Sequence, residues 1–109
     1  MDLIDRIEIR KFDVDGITDW MWAKGDIYGF EHTIRDWTKT HKNAYLEKVK
    51  KFDICIQAGG FCGLYPRLLS NHFKRVYTFE PCHLNFYCLV NNCQKENIYK
   101  LFLPKTYLL

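Results

Sequence analysis

Proline and glycine are scarce, 3 and 6 of 109 residues, and no internal repeat or low-complexity segment breaks the chain. No stretch approaches the roughly 18 uninterrupted apolar residues that a membrane-spanning helix needs, so a transmembrane role is not expected. The start, Met1-Asp2-Leu3-Ile4-Asp5, lacks the basic-then-apolar layout of a secretory leader, and a cytoplasmic protein is expected. No Cys-x-x-Cys pair occurs, and the cysteines are odd in number: Cys55, Cys62, Cys82, Cys88 and Cys93. That spacing excludes a disulfide framework or a structural zinc site, and reduced cysteines packed as small apolar residues are expected. No metal site is assigned. Gly-x-Gly-x-x-Gly is absent as well, which weighs against a nicotinamide dinucleotide.

What is present is enough for a core: 48% hydrophobic and 17% aromatic residues exclude wholesale disorder. The net charge of +3 conceals an asymmetry, since residues 1–36 carry 9 acidic against 5 basic side chains and residues 37–109 carry 4 against 11. A basic C-terminal half can attract an anionic partner, nucleic acid included. Its lysines gather at Lys39, Lys42, Lys48, Lys50 and Lys51, ahead of a strand, and the preferred reading is a solvated surface without nucleic acid.

The length allows one small domain with an N-terminal appendage, divided at residues 1–41 and 42–109. In the first part Ile4, Ile7 and Ile9 alternate with charges and suggest a strand or an extended arm. Asp13-Val14-Asp15-Gly16 reads as a turn, and Ile17 to Trp22 as the beginning of a short helix. The appendage is therefore expected to be mostly helical or irregular. From Lys42 the pattern sharpens. Tyr45, Leu46 and Val49 repeat at helical spacing, and Phe52 to Ala58 is a short buried strand. Gly59-Gly60-Phe61-Cys62-Gly63 is a glycine-rich turn, followed by a helix from Leu64 to Phe73 with Pro66 in its first turn. Val76 to Phe79 forms a second strand ending at Glu80-Pro81, and Phe86, Leu89, Val90 and Cys93 make a helical stripe. Ile98 to Leu103 is a third strand, stopped by Pro104. This βαβαβ series predicts an α/β fold with about three parallel strands, half of a doubly wound sheet.

The chemistry is expected where the glycine turn meets Glu80. Glycines at the end of a strand let the backbone approach a ligand closely, and the next helix presents its N–H groups and positive end. Glu80 lies 21 positions after Gly59, at the end of the next strand, where a carboxylate can accept hydrogen bonds from both hydroxyls of a ribose. The pair suits an adenosine-containing ligand.

The stretch from Phe52 to Gly63, with Val76-Tyr77-Thr78-Phe79-Glu80-Pro81 and Asn85-Phe86, resembles the opening of FkbM-type methyltransferases. The likeness covers roughly residues 45–99, and the Gln-Ala-Gly-Gly form is similar to phage-borne members in particular. The resemblance implies a Rossmann-like fold, S-adenosylmethionine as cofactor, and methyl transfer to a hydroxyl of a small-molecule acceptor such as a sugar. Gly59, Gly60 and Gly63 match the family's cofactor loop and Glu80 its ribose-binding acid, with Gln57, Phe61, Pro81 and Cys82 at neighbouring positions of the same site. Three positions depart from the family. Gln57 stands where the family has Asp, Phe61 where it has Asn or His, and Cys82-His83 where it has a polar residue and Pro. The family's later strands have no counterpart, and residues 100–109 follow none of its patterns, so a truncated cofactor-binding half with weak or no turnover is expected.

Other features have plainer readings beside functional ones. Cys62 beside a helix start can be a nucleophile of lowered pKa, yet no base partner is visible. His83 is a helix-start residue or the rim of a pocket. Trp20, Trp22 and Trp37 are core, or a platform for stacking rings. Asp13, Asp15 and Asp19 lack the remaining ligands of a calcium loop and form a turn. With the family's later strands absent, Phe52–Ala58 becomes a sheet edge, and a homo-oligomer joined through it is expected.

Overall fold

The structure, a computed structural model, describes residues 2–103. After one 3-10 turn, Leu3–Arg6, the chain runs as β1 (Ile7–Val14) and β2 (Ile17–Ala23), an antiparallel pair. Between them Asp15 and Gly16 have φ of 48° and 86°. Two successive left-handed residues give the hairpin turn that matches strand twist, and Asp-Gly is well suited to it. A helix starting at Ile17 is therefore replaced by a strand, and the mostly helical or irregular appendage by a hairpin and a helix. The pairing register shifts by one residue between Lys11 and Val14. With that bulge Ile17 and Trp20, three apart, are both buried, a spacing that imitates a helix.

Helix α1 (Ile27–Asp36) is capped by Asp26, whose carboxylate accepts the Gly29 N–H at 2.9 Å. It continues through one wide turn, Trp37–His41, into α2 (Lys42–Lys48), the helix expected there. Asp15 ties hairpin to helix by accepting from Trp37 Nε1 at 3.2 Å and Lys42 Nζ at 3.0 Å.

The rest alternates strand and helix: β3 (Ile54–Ala58), α3 (Leu64–Leu69), β4 (Arg75–Glu80), α4 (His83–Asn92) and β5 (Ile98–Phe102). The three strands are parallel in the order β3-β4-β5, so the fold is α/β as expected. Because the order never reverses, right-handed crossovers put α3 and α4 on one face. Val76, Thr78 and Ile98 are buried on that face, while Ile54, Ile56, Tyr99 and Leu101 on the opposite face are exposed, Ile56 to 71%.

Helix α3 is shorter than the expected Leu64–Phe73. Ser70 turns its hydroxyl onto the Arg67 carbonyl at 2.5 Å, and Asn97 Nδ2 donates to the carbonyls of Ser70 and Phe73. Side chains thus take over carbonyls that another helical turn would have used. One hydrophobic core runs from the hairpin to β5, joining Trp20, Trp22 and Trp37 to Leu64, Leu68 and Leu89. Among the described residues no helix is long and apolar enough to cross a membrane. The stop at Pro104 and residues 104–109 of the divergent segment 100–109 lie outside the described residues.

Candidate functional site

The loop Gly59–Gly63 leaves the tip of β3 and is fixed by its own backbone. Gly59 and Gly63 take φ of 72° and 89°. Gly60 sits against β4, where a Cβ would collide with Thr78 Oγ1, and a Cβ on Gly63 would collide with Cys93 Sγ and Leu89. The N–H of Gly60 donates to the Phe79 carbonyl and that of Gly63 to the Gly60 carbonyl, both at 2.8 Å. Phe61 is the residue that departs from local preference. With φ of 55° it holds a left-handed conformation that costs a bulky side chain energy.

Glu80 explains how that conformation is held. Its carboxylate is buried beneath the loop, with Oε1 accepting the Phe61 N–H at 2.8 Å and Oε2 the Cys82 N–H at 2.9 Å. The carboxylate thus clamps the glycine loop to the start of α4. Each oxygen keeps a second lone pair in principle. The expectation that the loop and the next helix offer N–H groups outward is corrected: Gly60, Phe61 and Gly63 spend theirs within the protein, and α3 spans only Leu64–Leu69. What the loop offers is close approach of its backbone.

Gln57, near the tip of β3, is oriented through both ends of its amide. Its Oε1 accepts from Thr78 Oγ1 at 3.0 Å and its Nε2 donates to the Gly59 carbonyl at 3.3 Å. Asn92 of α4 does similar work for the hairpin. It accepts the Met21 N–H at 2.8 Å, donates to the Met21 carbonyl at 2.9 Å, and donates to the Cys62 carbonyl at 2.8 Å. One side chain therefore registers β2 against the glycine loop.

Two hollows share Gly59 as a lining residue. One, of about 270 Å³, is lined by Trp22 and Thr33 from the N-terminal part and by Gln57, Gly59, Gly60, Phe61, Leu64 and Tyr65. The other, of about 260 Å³ and almost wholly apolar, is lined by Ala58, Gly59, Phe79, Pro81 and Leu103 at the strand tips. Among these lining residues Tyr65 alone is ionisable. Burial pushes its hydroxyl up to about 12, and that hydroxyl hydrogen-bonds His41 Nδ1 at 2.6 Å. Trp22 and Phe61 lie with their rings nearly parallel, 15° apart in plane and 6.2 Å between centroids.

The expected residues Gln57, Gly59, Gly60, Phe61, Gly63, Glu80, Pro81 and Cys82 thus gather around one loop, with Glu80 beneath it and Cys82 exposed at its far side. Cys62 is no nucleophile. It is fully buried, and a hydrogen bond with Cys88, together with burial, pushes its thiol up. All five cysteines are free thiols. The three tryptophans are core rather than an open platform, and of these Trp22 also reaches the first hollow. His83 packs over Phe102, with 4.5 Å between ring centroids. Among the described residues no group of three or more His, Cys, Asp or Glu is placed to hold a metal ion. Thr33, Tyr65 and Asn92 were not legible as site residues. Thr33 and Asn92 reach the loop from elements distant in sequence, Tyr65 follows it directly on α3, and no local motif marks any of the three.

No protein-family model matches the chain, and no curated protein matches it either.

Proposed function

We propose that the chain is a Rossmann-like, S-adenosylmethionine-binding protein of methyltransferase type. The observation that carries this reading is the glycine loop at the tip of β3, set between two hollows and clamped from below by Glu80 at the tip of β4. In open parallel sheets ligands bind beyond the carboxyl ends of the strands. The apolar hollow beside Phe79, Pro81 and Leu103 suits an adenine ring. The hollow beside Gln57 and Phe61 suits the methionine end, and Glu80, buried beneath the loop at the tip of β4, is the acid for the ribose in this reading. Where turnover occurs, the methyl group passes in line from the sulfonium to a hydroxyl of a small molecule or sugar, by proximity and exclusion of water.

A second reading is favoured by the lining itself. With Tyr65 as the sole ionisable lining residue, held protonated well above neutral pH, general-base help is not evident, and a role in binding without turnover follows. We accordingly expect little or no methyl transfer by this chain to hydroxyl acceptors. Robust turnover on a defined acceptor would show that expectation wrong.

The cytoplasmic setting and self-association along β3 belong to the same proposal. Thermal denaturation with S-adenosylhomocysteine tests its ligand. Saturation at about 100 times Kd should stabilise the fold by about 2.7 kcal/mol. A response to dinucleotides instead, or to neither ligand, would count against it.

A further inference from the structure

A cation enters a water-poor hollow only if an anion or an electron-rich surface faces it. The hollow at the tip of β3 contains three aromatic rings, Trp22, Phe61 and Tyr65, and no acidic side chain among its lining residues. Gln57 is neutral, and its amide is already turned toward Thr78 and the Gly59 carbonyl. Phe61 stands in a conformation that glycine or asparagine would adopt more cheaply, and the residue is 54% exposed beside the hollow. Glu80 and the stack against Trp22 hold it there. The ring's position is thus sustained against its local cost by the surrounding structure.

We propose that the rings of Phe61 and Tyr65, with Trp22 stacked behind Phe61, bind the sulfonium cation of S-adenosylmethionine by cation–π attraction. The inference rests on the ligand reading above and adds to it the group that senses the ligand's charge. The consequence is selectivity between two ligands that differ at one atom. S-adenosylmethionine carries a positive sulfur, whereas in S-adenosylhomocysteine the sulfur is a neutral thioether and the remainder is shared. A site built on the shared parts binds both alike. A site built on aromatic faces prefers the cation.

Titration calorimetry of the full chain with each ligand provides the test. The intact protein should bind S-adenosylmethionine about tenfold more tightly than S-adenosylhomocysteine, the scale of one cation–π contact in a desolvated site. Phe61→Leu keeps the apolar bulk and the backbone demand but removes the π face. It should abolish the preference by weakening S-adenosylmethionine alone, and Phe61→Trp, with the better cation-binding ring, should restore or exceed it. Circular dichroism confirms that each variant is folded. Equal affinities in the intact protein would overturn the aromatic-cation inference and leave the ligand reading standing. So would a Phe61→Leu loss shared by both ligands, which would make Phe61 a plain apolar wall. Binding of neither ligand would overturn the ligand reading and this inference together.

Discussion

Glu80 carries two duties that a substitution can separate. Its carboxylate satisfies the Phe61 and Cys82 N–H groups, so Glu80→Ala leaves two donors near the protein interior without a partner. Each such loss costs on the order of 1–3 kcal/mol, and a fall in unfolding free energy of about 2–3 kcal/mol is expected from urea denaturation. If Glu80 also meets a ribose, S-adenosylhomocysteine affinity should fall by roughly 1.5–3 kcal/mol in the same variant. Unchanged calorimetric affinity would remove Glu80 from the ligand site while leaving its clamp intact. Asp15 permits a cleaner measurement because it lies at the hairpin turn. The Lys42 ammonium hydrogen-bonded to it, and then the Trp37 indole, hold its carboxyl below the ordinary 3.8 despite some burial. A folded-state pKa below the unfolded one means stability present above pH 3.8 and lost as pH falls through the lowered value. Asp15→Asn keeps a side chain that tolerates the left-handed turn but loses the charge. A cost of about 0.5–1 kcal/mol is expected at neutral pH for this partly exposed pair, shrinking as the wild-type carboxyl protonates. A cost that stays constant down to pH 2 would show that the ion pair is not its source.

Among the elements, the hairpin and the glycine loop are joined through α4, and Asn92 is the joint. Asn92→Ala removes three hydrogen bonds, two to Met21 and one to Cys62. A loss of about 2 kcal/mol is expected, with faster amide exchange in β2 and in the loop and little change in β5. Uniform exchange across the fold would mean that Asn92 serves global stability instead. Nothing in the sequence around Asn91-Asn92 distinguishes this residue, because its partners lie 71 and 30 positions away. The elements that were legible depend on near neighbours. Gly59–Gly63 and the stripe through Leu89 and Cys93 follow from backbone freedom and periodicity within a dozen residues, and Glu80 from its place at the end of the next strand, 21 positions after Gly59. The β2 strand was misread for an equally local reason: a one-residue register shift placed inward residues three apart at Ile17 and Trp20. Asp15-Gly16, read as a turn, already carried the hairpin signal that should have outweighed that spacing. Of the walls of the first hollow, Thr33 escaped because it comes from α1, 28 positions before Phe61, and Tyr65 because its aromatic ring carries no motif of its own.

At the scale of the whole molecule, the free edge of β3 governs assembly. Among the described residues this strand pairs with β4 alone, and the hairpin forms a separate two-stranded sheet that packs on α4 rather than along the β3 edge. The edge Ile54-Cys55-Ile56-Gln57-Ala58 is uncharged and rich in β-branched residues, without the lysine, proline or bulge that natural edges use against pairing. Beside it runs a groove of about 470 Å³ lined by Tyr45, Val49, Cys55, Ile56 and Leu69 among others, which adds apolar surface to the open hydrogen-bonding groups. The bare sheet face continues this surface through Ile54, Ile56, Tyr99 and Leu101. A three-stranded sheet in so short a chain also buries a modest share of its surface on its own. A second copy turned about a two-fold axis presents the same edge in antiparallel sense, so each unpaired N–H and carbonyl finds its counterpart and the interface closes after two chains. Sedimentation at micromolar concentration should therefore give twice the 13.1 kDa of one chain. Ile56→Lys, which places a charge on both the edge and the bare face, should return the protein to monomer without unfolding it, since this side chain is 71% exposed in the single chain. Alternate amides of residues 54–58, those pointing away from β4, should exchange more slowly as concentration rises. A 13.1 kDa species throughout the micromolar range, with exchange in β3 independent of concentration, would rule the pairing out.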